Sequence, residues 1–166
     1  MRYVELVEAL AERGIRFVIV GGVAVVLHGV PRTTFDLDIL LDLAAENVIA
    51  FVDVMAEQGL LPRAPVDPRG LADPTTRSAW IGEKHLKAFS FSDPRGGVVD
   101  VLLVAPLDYA EAVLDAEEIR VRAATVWIAS IPALIRLKRA AGRDKDKADI
   151  EALEVVQQLA GEEEKG

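Results

Sequence analysis

Between Phe17 and Leu41 the chain reads FVIV, GGVAVVLHGVPRTTF, DLDILL. Phe17-Val18-Ile19-Val20 has the composition of a short buried strand, and it runs straight into Gly21-Gly22. Val23 to Leu27 follows as a short helix, stopped by Gly29 and Pro31. Arg32-Thr33-Thr34 makes a turn, and Phe35 to Leu41 reads as a second strand. On a strand, residues i and i+2 share a face. Phe35, Leu37, Ile39 and Leu41 therefore form one buried face, and Asp36, Asp38 and Leu40 lie on the other. A double glycine lets a backbone approach a phosphate with no Cβ in the way. A helix start just beyond it offers free amides to an anion. A glycine turn aimed at phosphate beside a carboxylate pair aimed at a cation points to nucleotide chemistry.

The same alternation of strand and helix continues along the chain. Residues 3–13 and Ala45 to Gln58 have helical periodicity, closed by Gly14 and Gly59. Residues 62–79 carry Pro62, Pro65, Pro68, Gly70 and Pro74, and read as a long loop bearing Arg63, Arg69 and Arg77, suited to a lid or acceptor contact. Strand is expected within Trp80 to Phe91, especially from Leu86, then a turn at Asp93–Gly97 and a strand at Val98–Val104. Tyr109 to Leu114 reads as a short helix. Short strands are expected at Ile119–Val121 and Val126–Ile128. Ser130 caps a helix that has Pro132 in its first turn and stops at Gly142. Asp144 is expected to cap a last helix reaching about Leu159. The reading is an α/β (α+β) chain, with a small mixed sheet flanked by helices and a C-terminal helical segment. It is one domain over 1–160, with 161–166 as a disordered acidic tail.

Composition narrows the chemistry. Of 166 residues, 51% are apolar, so a core of real size can form. The chain has no cysteine and only His28 and His85, which excludes disulfides and zinc–thiolate sites. Neither histidine is assigned a role. The start of the chain lacks a secretory apolar core, and no run approaches the length of a membrane span, so a cytoplasmic protein is expected. The formal net charge of −8 argues against nonspecific coating of nucleic acid. From Arg136 to Lys147, however, six cations face two acids, and a polyanion is expected to meet the protein there first.

A third carboxylate, Asp100, interrupts the apolar run Val98–Leu103. Buried without a partner it costs several kcal/mol, on the order of 2–7. If its strand neighbours Phe35–Leu41, Asp36, Asp38 and Asp100 converge at one sheet edge. Three hard oxygen ligands favour Mg²⁺ or Mn²⁺ over zinc. Taken singly, each acid is also an ordinary solvent-facing residue. The combination with Gly21-Gly22 carries the functional reading.

At these residues the chain resembles the DNA polymerase β-like nucleotidyltransferases, whose signature is a Gly-Ser or Gly-Gly turn, an Asp-x-Asp pair and a later Asp on a neighbouring strand. The wording Arg32-Thr33-Thr34-x-Asp36-x-Asp38 is most similar to the AbiEii/MenA-type toxin branch. So is the run Leu137 to Ile150, a Lys followed by the Lys145-Asp146-x-x-Asp149 element. The resemblance implies transfer of a nucleoside monophosphate from an NTP to an acceptor, with Asp36, Asp38 and Asp100 as catalytic and metal-holding residues. It implies phosphate contacts from Gly21, Gly22, Arg32, Thr33, Thr34, Lys138, Arg143 and Lys145. Asp146 and Asp149, on one helix face, would orient Lys145, Arg143 or the base. It further implies an RNA acceptor such as tRNA and an antitoxin partner protein. Position 22 is Gly where many members carry Ser, and the chain is short for the toxin enzymes. Two other readings remain open: an antibiotic-modifying nucleotidyltransferase, and a non-catalytic nucleotide-binding or partner module.

Overall fold

Phe17–Val20 is apolar at every position and buried at every position, as a strand covered on both faces must be. A computed structural model of the chain describes residues 3–166. Its elements run α1 (Val4–Glu12), β1 (Phe17–Val20), α2 (Gly21–Leu27), β2 (Asp36–Leu41), α3 (Ala45–Glu57) and β3 (Leu61–Pro62). A 3-10 turn at Pro68–Ala72 leads into α4 (Pro74–Gly82), β4 (Ala88–Ser92), β5 (Val98–Leu102) and α5 (Tyr109–Ala112). The chain closes with β6 (Glu117–Val121), β7 (Ala124–Ile128), α6 (Ile131–Ala141) and α7 (Asp144–Glu163). Among the described residues no helix is long and apolar enough to cross a membrane.

The strands form one mixed sheet in the order β3-β4-β5-β2-β1-β7-β6. β2 is antiparallel to β1 and parallel to β5, and β4 is antiparallel to β5. The mixed α/β expectation holds, with α6 and α7 as the C-terminal helical segment. One edge is the two-residue β3, which contains Pro62; the other is β6, reading Glu-Glu-Ile-Arg-Val.

Periodicity on β4 and β5 decides where the site lies. Phe89, Phe91, Val99 and Val101 alternate inward and are buried with Leu37 and Ile39 of β2. Phe51 of α3 meets Phe91 edge-on at 5.7 Å, and Trp80 of α4 stacks on Phe89 at 5.1 Å. Such pairs contribute about 0.5–1.5 kcal/mol beyond area burial. The intervening residues face the other way and are only half-buried, so this part of the sheet keeps one face open.

The structure departs from the sequence reading in several places. Residues 62–79 are not a free loop. Asp67 accepts the Arg69 N–H and Asp73 the Thr76 N–H, and Pro68 and Pro74 sit in first turns, where proline suits a helix start. Trp80 thus closes a helix instead of opening a strand. Arg69 pairs with Asp53 and Arg77 bonds the Leu71 carbonyl, so both brace this segment. Phe35 lies outside β2 and is 76% exposed, whereas Leu40, expected beside the acids, is buried. Arg143, not Asp144, is the N-cap of α7, and the helix continues past Leu159 to Glu163.

Candidate functional site

The register of three neighbouring strands sets the centre of the site. Ser90 lies opposite Asp100, and Asp100 lies opposite Asp38, so one row across β4, β5 and β2 carries a hydroxyl and two carboxylates. Asp36 is two residues along β2 on the same face, in the row of Val98. The Ser90 hydroxyl donates to Asp100. Sequence reading missed Ser90, although the alternation in Ala88–Ser92 places it on the open face.

Asp38 is the most perturbed of the three. Burial, the charge of Asp100 and the charge of Asp36 push its carboxyl from 3.8 to about 6, against weaker opposition from Arg143 and Lys138. Negative charge gathers here faster than the protein compensates it, which is the condition a divalent cation relieves. The donor set, all carboxylate oxygen, suits Mg²⁺ or Mn²⁺. Even so, among the described residues no three His, Cys, Asp or Glu side chains gather closely enough to make a ready metal cluster. The three acids share the cavity without forming a ready-made triad.

The double glycine is explained by what surrounds it. Gly21 has φ +63°, and a Cβ built there would lie 2.0 Å from Asp38 Oδ2. The turn from β1 into α2 therefore needs glycine both for its backbone and for the carboxylate pressed against it. Gly21→Ala is expected to cost at least about 1–2 kcal/mol from the backbone alone, and to displace Asp38. Thermal unfolding and Mn²⁺ titration would check the two effects separately. At Gly22 a Cβ would lie 2.6 Å from Thr34 Oγ1 and 3.2 Å from the Arg32 guanidinium carbon. The threonine hydroxyl thus stands where a residue-22 side chain would begin.

The C-terminal helices close the cavity with a buried ion network. Ser130 caps α6, and Gly142, at φ +64°, ends it in the left-handed conformation that lets the chain double back into α7. Lys138 of α6 is 5% exposed; its Nζ lies 2.7 Å from Asp149 and 3.6 Å from Asp146. Asp149 also pairs with Arg32 from the turn before β2. Asp146, fully buried, accepts from the Arg143 N–H at 3.1 Å and from Arg143 Nε at 2.8 Å. Burial alone would raise the Asp146 carboxyl, but the Arg143 bonds and the nearby cations hold it below the usual range. The two acids were expected to orient Lys145, Arg143 or the base. Asp146 does hold Arg143, while Lys138 and Arg32 take the place foreseen for Lys145.

This pairing changes the meaning of the basic stretch. Arg136 binds Glu111, Arg139 approaches Glu154, Lys147 approaches Asp144, and Lys138 and Arg143 are held by buried acids. Arg136, Arg139 and Lys147 thus have acidic partners on the exposed surface, while Lys138, Arg143 and Lys145 line a cavity instead of an outward basic face.

A cavity of about 840 Å³ collects these groups. Gly21, Gly22, Arg32, Thr33, Thr34, Asp36, Asp38, Asp100, Lys138, Arg143, Lys145 and Asp146 all line it. Asp149 stands behind the wall and acts through Lys138 and Arg32. The cavity also has an apolar side that sequence reading did not assemble, because it draws on β4, β5 and α6 together.

No protein-family model matches the chain, and no curated protein matches it. Solved structures do. The lincosamide antibiotic adenylyltransferase LnuA, lincomycin-bound, superposes with a TM-score of 0.61 at 14% identity, covering 92% of this chain and 94% of that one. ANT(2")-Ia in complex with adenylyl-2"-tobramycin gives 0.55 at 16% identity, covering 96% and 97%. An antigenic nucleotidyltransferase-like protein from Paracoccidioides brasiliensis gives 0.53 at 18% identity, covering 95% and 74%. None of the three is a toxin of the AbiEii/MenA branch, so that finer placement has no support here. Over nearly its whole length the chain carries the fold shared by these nucleotidyltransferase structures.

Proposed function

We propose that the protein is a metal-dependent nucleotidyltransferase that moves a nucleoside monophosphate from an NTP to a hydroxyl acceptor. The observation that carries this reading is the cross-strand pairing of Asp38 with Asp100, directly against Gly21. Gly22, Thr34, Arg32, Lys138, Arg143 and Lys145 receive the triphosphate. The acceptor oxygen attacks the α-phosphorus as its proton passes to Asp100. The bond from the α-phosphorus to its bridging oxygen breaks, and pyrophosphate departs toward the cations. When bound at Asp36, Asp38 and Asp100, Mg²⁺ or Mn²⁺ supplies charge neutralisation at the phosphates and activation of the attacking hydroxyl. Ser90 holds Asp100 in place.

Two structural neighbours are a lincosamide antibiotic adenylyltransferase and ANT(2")-Ia in complex with adenylyl-2"-tobramycin, which favours ATP as donor and a small molecule as acceptor. Half of the basic stretch lines the cavity, which leaves no continuous outward basic face for RNA. A non-catalytic binding module would have no need to keep Asp36, Asp38 and Asp100 on one face with a glycine cleared for Asp38.

Calorimetry with ATP, GTP, CTP and UTP, with and without Mg²⁺, tests the reading without knowledge of the acceptor. The expected result is Mg²⁺-dependent binding that weakens at least about tenfold in Asp38→Asn. Binding indifferent to Mg²⁺ would favour the non-catalytic module.

A further inference from the structure

We infer that the acceptor is a small hydroxyl compound with an apolar body and no cluster of amines. This rests on the nucleotidyltransferase reading above. The cavity has two ends with the carboxylate row between them. At one end, Gly22 faces Arg32 and Thr34, and Arg32 shares Asp149 with Lys138. This end lies toward the start of β2, because Val20 at the end of β1 pairs with Asp38. The opposite end lies beyond Asp100 along β5, which runs parallel to β2. There Leu102 follows Asp100 on the same face, with Ala88 across from it. Val104 and Pro106 follow on the same chain segment, and Leu134 and Leu137 line the cavity from α6, beside Lys138. Beyond Leu102 the strand ends and the chain bends, with the Leu103 and Val104 N–H groups both donating to the Lys87 carbonyl.

In-line displacement assigns the two ends. The leaving pyrophosphate needs the cations, so the attacking hydroxyl must arrive from the opposite side of the phosphorus. That side is the apolar end. Val104 is 53% exposed there, an apolar surface with a cavity in front of it.

Charge excludes a polyamine. Five cations line the cavity against four carboxylates, and Lys87 stands among the apolar residues. Of the acids, Asp146 is fully buried against Arg143, and the other three form the reaction centre. No carboxylate remains to receive an acceptor's ammonium groups, and desolvating them unpaired is unfavourable.

The test titrates methyl β-glucoside, hexyl β-glucoside and tobramycin into the full chain loaded with Mg²⁺ and α,β-methylene-ATP. Hexyl glucoside is expected to bind at least about tenfold more tightly than methyl glucoside, and more tightly than tobramycin. Val104→Asp is expected to remove that gain and leave affinity for the nucleotide analogue unchanged. Tighter binding of tobramycin, or no dependence on alkyl length, overturns this inference while nucleotide binding stands. Failure of the nucleotide analogue itself to bind overturns the nucleotidyltransferase reading, and this inference with it.

Discussion

Asp38→Asn is expected to reduce transfer on the order of a thousandfold and, in the absence of divalent cation, to make the protein more stable at neutral pH. The two effects have one cause. The Asp38 carboxyl is lifted from 3.8 to about 6 by burial and by Asp100 and Asp36. Between those values the folded chain holds a proton that the unfolded chain has released, so folding is favoured on the acid side. That contribution is complete below about pH 4 and is lost as pH rises through 6. A shift of this size corresponds to on the order of 3 kcal/mol. Asparagine carries no charge to desolvate and avoids the loss. The variant should match wild type at pH 4 and exceed it in Tm by roughly 5–10 °C at pH 7.5. Mg²⁺ should narrow the gap by stabilising wild type alone. Calorimetric unfolding at the two pH values, with and without Mg²⁺, measures all of this. A variant no more stable than wild type at pH 7.5 would show that Asp38 is well solvated.

Asp149→Ala is expected to have the largest destabilising effect, about 3–5 kcal/mol, the usual loss when one partner of a buried ion pair is removed. The substitution leaves the Lys138 ammonium, 5% exposed, with only Asp146 at 3.6 Å, and frees Arg32 from α7. Both cations then lose the geometry that presents them to the triphosphate, so the KM for NTP should rise while Mn²⁺ binding at the carboxylate row changes little. Lys138→Met combined with Asp149→Ala should regain stability, because removing both members of a buried pair is often nearly neutral. It should not regain nucleotide affinity. Denaturant unfolding and NTP titration of the single and double variants separate the structural role from the functional one. Recovery of both together would assign the network to folding alone.

Much of this was legible in short-range pattern. The two-residue alternation through Asp36-Leu37-Asp38 and Val98–Leu102 places the acids on one face, and β2 and β5 do turn out to be neighbours. The glycine pair after Phe17–Val20 marks the turn that meets Asp38. The density of proline and glycine in 62–79 reads as a loop by composition alone. With Asp67 and Asp73 one residue ahead of Pro68 and Pro74, the same prolines start helices. Phe35 followed the alternation of its strand on paper, but β2 begins only at Asp36. The i, i+3 spacing of Asp146 and Asp149 announced a common helix face. It could not announce Arg32, which reaches Asp149 across 117 positions of sequence. Contacts of that range depend on how α7 lies across the sheet, and no local spacing records it.

The outer strands of the sheet carry a consequence for how copies of this chain meet. A strand at a sheet's margin exposes unpaired backbone groups that invite another strand. Here β3 offers only Leu61 and Pro62, and proline has no N–H to extend the ladder. At the other margin, β6 presents Glu117, Glu118 and Arg120, whose charges must be matched before a second strand can join. Both margins are therefore guarded against runaway strand addition, and the half-open face over Asp38 and Asp100 stays available for ligand rather than for another sheet.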